Sequence, residues 1–134
     1  MSWRRWGSAL FVGLALGGAA GLVAAQTPPR VYRVGFLTAG SLPSREEAFR
    51  QEMRRLGYTE GRNLAIEYRS ADGQFDRLPT LAAELVGLNV DVIASSVTQA
   101  TLAAMKATET IPIVMVAVCD PVASGLVASF ARPG

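Results

Sequence analysis

The chain has 134 residues, half of them hydrophobic, with 13 basic and 11 acidic side chains. That length allows one domain at most, and an apolar, aromatic-containing composition excludes an intrinsically disordered chain. There is no histidine, which removes the commonest general base and metal ligand, and the single Cys119 excludes an internal disulfide.

At the N-terminus Arg4 and Arg5 precede an uncharged run of 19 residues, Gly7 to Ala25, that ends in small side chains. This is the layout of a secretory signal helix. Val23 and Ala25 take the two small-residue positions before a cut at Gln26, so residues 1–25 are expected to be a cleaved signal peptide and 26–30 a proline-containing tether. An uncleaved membrane anchor is the alternative for a run of this length. The many glycines and alanines and the small-residue end favour cleavage. The arginine pair resembles a twin-arginine signal with poorly fitting flanks, and no cysteine lies near the cut to make a lipoprotein. Loss of Arg4 and Arg5 lowers the basic count from 13 to 11, equal to the acidic count. A neutral exported chain without a basic patch is not a nucleic-acid binder.

The mature portion opens with Val31 to Leu37, rich in β-branched and aromatic residues, as a first strand. A loop over Thr38 to Pro43 follows. Ser44 and Glu47 form a capping box for a helix to about Leu56, with Phe49, Met53 and Leu56 on one face, closed by Gly57. Leu64, Ile66 and Tyr68 alternate with polar residues, the mark of a half-exposed or edge strand. A second helix is expected from about Asp76 to Leu88, with Asp76 as a candidate cap, Pro79 in its first turn and a stripe of Leu78, Leu81, Leu85 and Leu88. A third strand starts at Val90, and Thr98 caps a third helix to about Ala107. A fourth strand follows Pro112, and a fourth helix is expected over Val122 to Phe130. This βαβαβαβα order predicts an α/β fold, a doubly wound parallel sheet. Four units make only part of such a domain, and the ending at Arg132, Pro133 and Gly134 reads as a turn, so a fragment is expected.

Ligands of open parallel sheets sit beyond the carboxyl ends of the strands, where strand order reverses. Here those ends carry Thr38 and Ser41, then Ser95, Ser96, Thr98 and Gln99, then Cys119, Asp120 and Pro121. The second group coincides with a helix start, where backbone N–H groups and the helix dipole suit a carboxylate. If the ligand is an amino acid, Ser96, Thr98 and Gln99 would hold its carboxylate and Asp120 its ammonium. Helix capping is the plainer reading of the hydroxyl cluster, and it accounts for one hydroxyl better than for four polar residues. Asp120 before proline equally suits a turn. Cys119 reads as a small buried or pocket-wall residue rather than a nucleophile, since no histidine or other evident base exists to activate it. Tyr68 could stack an aromatic ligand, although strand alternation explains it as well. Contact with Thr38 and Ser41 is weighed against the ordinary polarity of loops.

The segments VGFLTAG, RLGYTEGRNLAIEYR, LAAELVGLNVDVI and IPIVMVAVCDPVASGLVASFARPG together resemble the exported solute-binding proteins of ABC importers, in the branch related to tryptophan and tyrosine binders. The resemblance runs along nearly all of residues 31–134. It implies a periplasmic, two-lobed protein that closes on a small solute without transforming it, needs no cofactor or metal, and works with an ABC permease in the inner membrane. Membrane contact would come only through the signal segment. The chain would supply a partial first lobe of the type I periplasmic-binding-protein kind, and a Gly-Asn continuation usual after the ARPG stretch is not present.

Two other classes fit less well. A hydrolase or nucleotide enzyme could use a doubly wound sheet, but there is no G-x-S-x-G elbow or Walker loop. A ligand-sensing receptor or repressor domain would carry a DNA-binding or signalling segment where this chain has an export signal.

Overall fold

The computed structural model describes residues 29–129 and 131. The expected signal segment, the expected cut after Ala25 and the first residues of the expected tether lie outside the described residues, as do Phe130 and the last three positions. The elements run β1 (Tyr32–Thr38), α1 (Pro43–Arg55), β2 (Leu64–Ser70), a 3-10 turn (Phe75–Arg77), α2 (Leu78–Gly87), β3 (Val92–Ser96), α3 (Thr98–Ala107) and β4 (Ile113–Val116). All pairs are parallel and the strands lie in the order β2-β1-β3-β4. The order reverses between β1 and β3: the chain steps outward from β1 to β2, then returns to the other side.

Helices cover both faces, as expected for a doubly wound sheet. Strand residues alternate in direction, so Val34, Phe36 and Ala94 turn to one face and Leu37 and Ile93 to the other. The first face packs against Phe49 and Met53 of α1, with the Phe36 and Phe49 rings 5.5 Å apart. The second face packs against Leu78, Leu81, Ala82 and Leu85 of α2 and the alanines of α3. Full burial of a leucine such as Leu85 is worth about 1.5–3 kcal/mol. Gly35 lets α2 come close, because a Cβ there would lie 3.1 Å from both Leu85 methyls and 3.3 Å from Val90 Cγ2.

The sheet edges are β2, which agrees with its alternating sequence, and β4. On β4 Val114 is 53% exposed, and a concavity of about 470 Å³ opens on the other face, walled by Met105, Ile111, Ile113, Met115 and Leu126. At the opposite, amino end of the strands Asp91 ties Arg30 to the sheet. It accepts a hydrogen bond from the Arg33 amide at 2.8 Å and an ion pair from Arg30 at 2.6 Å.

Several expected helix ends are corrected. α1 begins at Pro43 behind Leu42, with no side-chain cap. Proline suits a first helical position because its missing N–H has no partner to find there, and this places Ser44 inside the helix instead of at a capping box. The Gly57 closure is present: Gly57 has φ +91, its N–H donates to Arg54, and the Tyr58 N–H donates to Met53, the paired bonds of a Schellman ending. Asp76 does not cap α2, since it lies in the 3-10 turn that runs straight into the helix. Thr98 does not cap α3 either; it is the first helical residue, behind Val97.

The fourth helix does not form over its described part. Ser124 N–H reaches the Asp120 carbonyl at 3.1 Å and Leu126 N–H reaches Pro121 at 2.9 Å, a single closed turn. Gly125 then takes φ +70, outside the helical region, and the chain bends so that Leu126 and Val127 are buried.

Candidate functional site

The carboxyl ends of β1 and β3 lie side by side at the reversal of strand order. Leu37 and Ser95 are register partners, so the next residues, Thr38 and Ser96, close the two strands together, and by strand alternation both face the α1 side. Each is only 6% exposed. The Thr38 hydroxyl is committed to its own loop, donating to the Gly40 carbonyl at 2.7 Å while the Gly40 N–H returns to it at 3.3 Å. Thr38 therefore shapes the loop that borders the site. The Ser96 hydroxyl has no hydrogen bond to a described residue, although its side chain is almost wholly buried.

Next to Ser96 the helix α3 begins without a side-chain cap. Its first N–H groups, at half-buried Thr98 and exposed Gln99, are left for a ligand or solvent. Such a terminus carries about half a positive charge and favours a carboxylate or other anion. The residue that joins Ser96 to this helix is Val97, with φ 69 and ψ 158. This is a region that β-branched residues avoid, costing on the order of 1–3 kcal/mol where the surroundings enforce it. Nothing in a valine signals such a conformation, so sequence reasoning could not have found it.

Ser95 does not line the rim. It is fully buried on the α2 and α3 side, its hydroxyl 2.8 Å from that of Thr101. The signal was available, because consecutive strand residues point to opposite faces and Ser95 and Ser96 could not both serve one site. Ser41 is exposed and donates to Glu46 at 3.1 Å.

Cys119 and Asp120 lie beyond β4, both exposed. Asp120 has φ 38 and its carboxylate accepts the Ala123 N–H at 2.9 Å, so it shapes the turn, while its exposed side leaves the second carboxylate oxygen open. Tyr68 is engaged from within: its ring lies 5.2 Å from that of Phe36 and 4.7 Å below the Arg50 guanidinium. No group of histidine, cysteine or acidic residues suited to a metal occurs among the described residues. The ends of β1 and β3 thus offer an unpaired hydroxyl and free helix-terminal N–H groups, a set that can hold an anion by hydrogen bonds and charge, while the Asp120 carboxylate lies past the end of β4.

Residues 34–134 match the family model of ABC transporter substrate binding proteins. The chain belongs to that family. A tyrosine-binding protein of Clostridioides difficile is 35% identical over 94 residues, covering 70% of this chain and 27% of the relative. A crystal structure of a conserved domain protein from Vibrio cholerae aligns with a TM-score of 0.73 at 32% identity, over 78% of this chain and 36% of that one. The ligand-free, open structure of a substrate binding protein with adhesive properties from Clostridium difficile gives 0.69 at 28% identity, over 74% and 35%. A Streptococcus pneumoniae domain in complex with L-Trp gives 0.71 over 78% and 36%, and at 24% identity it speaks for the fold alone. The chain thus spans roughly a third of the length of the proteins it matches.

Proposed function

We propose that this chain forms one wall of the ligand cleft of an exported solute-binding protein, holds an amino acid of the aromatic class, and serves an ABC permease in the inner membrane without transforming its ligand. The observation that carries the reading is the pairing of Ser96 with the uncapped start of α3, at the reversal of strand order. There the ligand carboxylate takes the N–H groups of Thr98 and Gln99 and the Ser96 hydroxyl, Asp120 takes the ammonium, and Ser41 and Cys119 border the pocket. The aromatic class is supported by the 35% identical relative, a tyrosine-binding protein. Residues 31–134 act as a partial first lobe, residues 1–25 as the signal peptide removed on export to the periplasm, and residues 26–30 as a tether.

One wall binds weakly, and a millimolar dissociation constant corresponds to only about −4 kcal/mol. The test is a titration of the isotopically labelled chain with L-tryptophan, followed by amide chemical shifts. Shifts that saturate and centre on residues 96–99 and 119–121 are expected; saturable shifts elsewhere, or none at millimolar ligand, overturn the assignment. Export is tested separately by N-terminal sequencing of the periplasmic product, which should begin at Gln26.

A further inference from the structure

Beneath the rim lies a polar pair in an apolar setting. Ser95 and Thr101 are both 0% exposed, on the side of the sheet packed by Leu37, Ile93, Ala100 and Ala104. An alanine and a valine would fill nearly the same space with no hydroxyl to satisfy, so burial of apolar surface does not account for the pair.

The hydrogen bonds have a direction. The Thr101 hydroxyl donates to the Val97 carbonyl at 3.0 Å, which uses its single proton. The 2.8 Å contact between the two hydroxyls must then run from Ser95 as donor to Thr101 as acceptor. The Val97 carbonyl also accepts the Thr101 N–H at 3.2 Å, and the Val97 N–H reaches the Val116 carbonyl at 3.4 Å. A helical threonine bonding back to the carbonyl four residues earlier is ordinary. A second buried hydroxyl placed under it, on the strand that leads into the helix, is not. Chained hydrogen bonds strengthen one another in a low dielectric, and this chain ends on the one residue of the β3–α3 junction held at φ 69.

We propose that the Ser95–Thr101 pair is a positioning device: it fixes the Val97 carbonyl, holds that residue in its left-handed conformation, and so sets the first N–H groups of α3 beside the Ser96 hydroxyl for the ligand. Neither residue touches the ligand. If Val97 relaxed to a negative φ, its peptide would rotate, its carbonyl would leave Thr101, and the start of α3 would turn away from Ser96. The part of this inference that concerns ligand rests on the function proposed above; the part that concerns Val97 does not.

The test compares the wild-type chain with S95A/T101V, which removes both hydroxyls and leaves neither unpartnered, and with T101S, which keeps the relay. In S95A/T101V, amide hydrogen exchange of residues 97–100 should quicken about tenfold while exchange in β1 and α2 stays as in wild type, and L-tryptophan affinity should fall about tenfold. T101S should leave both as in wild type. Unchanged exchange at 97–100, or exchange raised equally throughout the chain, overturns the proposal, as does retained affinity in the double variant of a wild type that binds. Should the double variant not fold, S95A alone decides by the same exchange readout. A wild-type chain that binds no L-tryptophan overturns the functional reading by itself, and exchange at residues 97–100 still judges the Val97 device.

Discussion

The Asp120 carboxylate accepts a hydrogen bond from the Ala123 N–H at 2.9 Å, across the turn that follows β4. Asparagine tolerates a positive φ and can accept the same bond through its side-chain oxygen. D120N should therefore keep its thermal midpoint. If Asp120 also pairs with a ligand ammonium, the lost charge-assisted bond lowers affinity by about tenfold or more. Calorimetric or shift titration beside a melting curve checks both halves, and unchanged affinity would reduce Asp120 to a turn residue.

At Gly35 an added Cβ would press on the Leu85 methyls, which are fully buried and have little room to yield. G35A should destabilise the chain by about 1–3 kcal/mol, the usual range for overpacking a core. Urea unfolding measures it. A more stable G35A would mean that Leu85 rearranges at no cost.

The Tyr68 hydroxyl is buried with no hydrogen-bond partner among the described residues, and burial raises its pKa. Removing an unsatisfied buried hydroxyl recovers its desolvation cost, so Y68F should gain about 1 kcal/mol, or about 4–8 °C in melting temperature for a domain of this size. A lower melting temperature would show that the hydroxyl has a partner in solution.

Asp91 has its pKa lowered, first by the hydrogen bond from the Arg33 amide and then by Arg30. A carboxylate with a depressed folded-state pKa stabilises fully above its unfolded value of about 3.9, and the contribution is lost as pH falls through the lower folded value. D91N should thus melt below wild type at neutral pH, with the two curves converging in acid. A gap that is constant with pH would mean that the charge plays no part.

The sequence carried the secondary structure well where side chains act locally. The β-branched runs around Val34, Ile93 and Val114 became parallel strands, the alternation of Leu64, Ile66 and Tyr68 became an edge strand, and Gly57 closed α1 because its φ +91 suits glycine best. Helix starts were less legible. Ser44, Asp76 and Thr98 each have the side chain of a cap, but Pro43, the 3-10 turn and the Val97 turn move the start of each helix by a residue or more. The expected helix after Pro121 failed because one glycine and the burial of Leu126 and Val127 outweighed a helical pattern that had little support from packing.

By itself, then, the sequence determined the layered α/β architecture and which strand ends are polar, since periodicity and β-branching act through neighbours a few residues apart. Only the tertiary structure decided which of those polar groups meet. Strand register set Thr38 beside Ser96, the pairing of β3 with β4 brought the Val97 N–H to the Val116 carbonyl, and Val97 took a φ of 69 that no valine signals. Such contacts join residues far apart in the chain, and they exist only once the sheet has assembled.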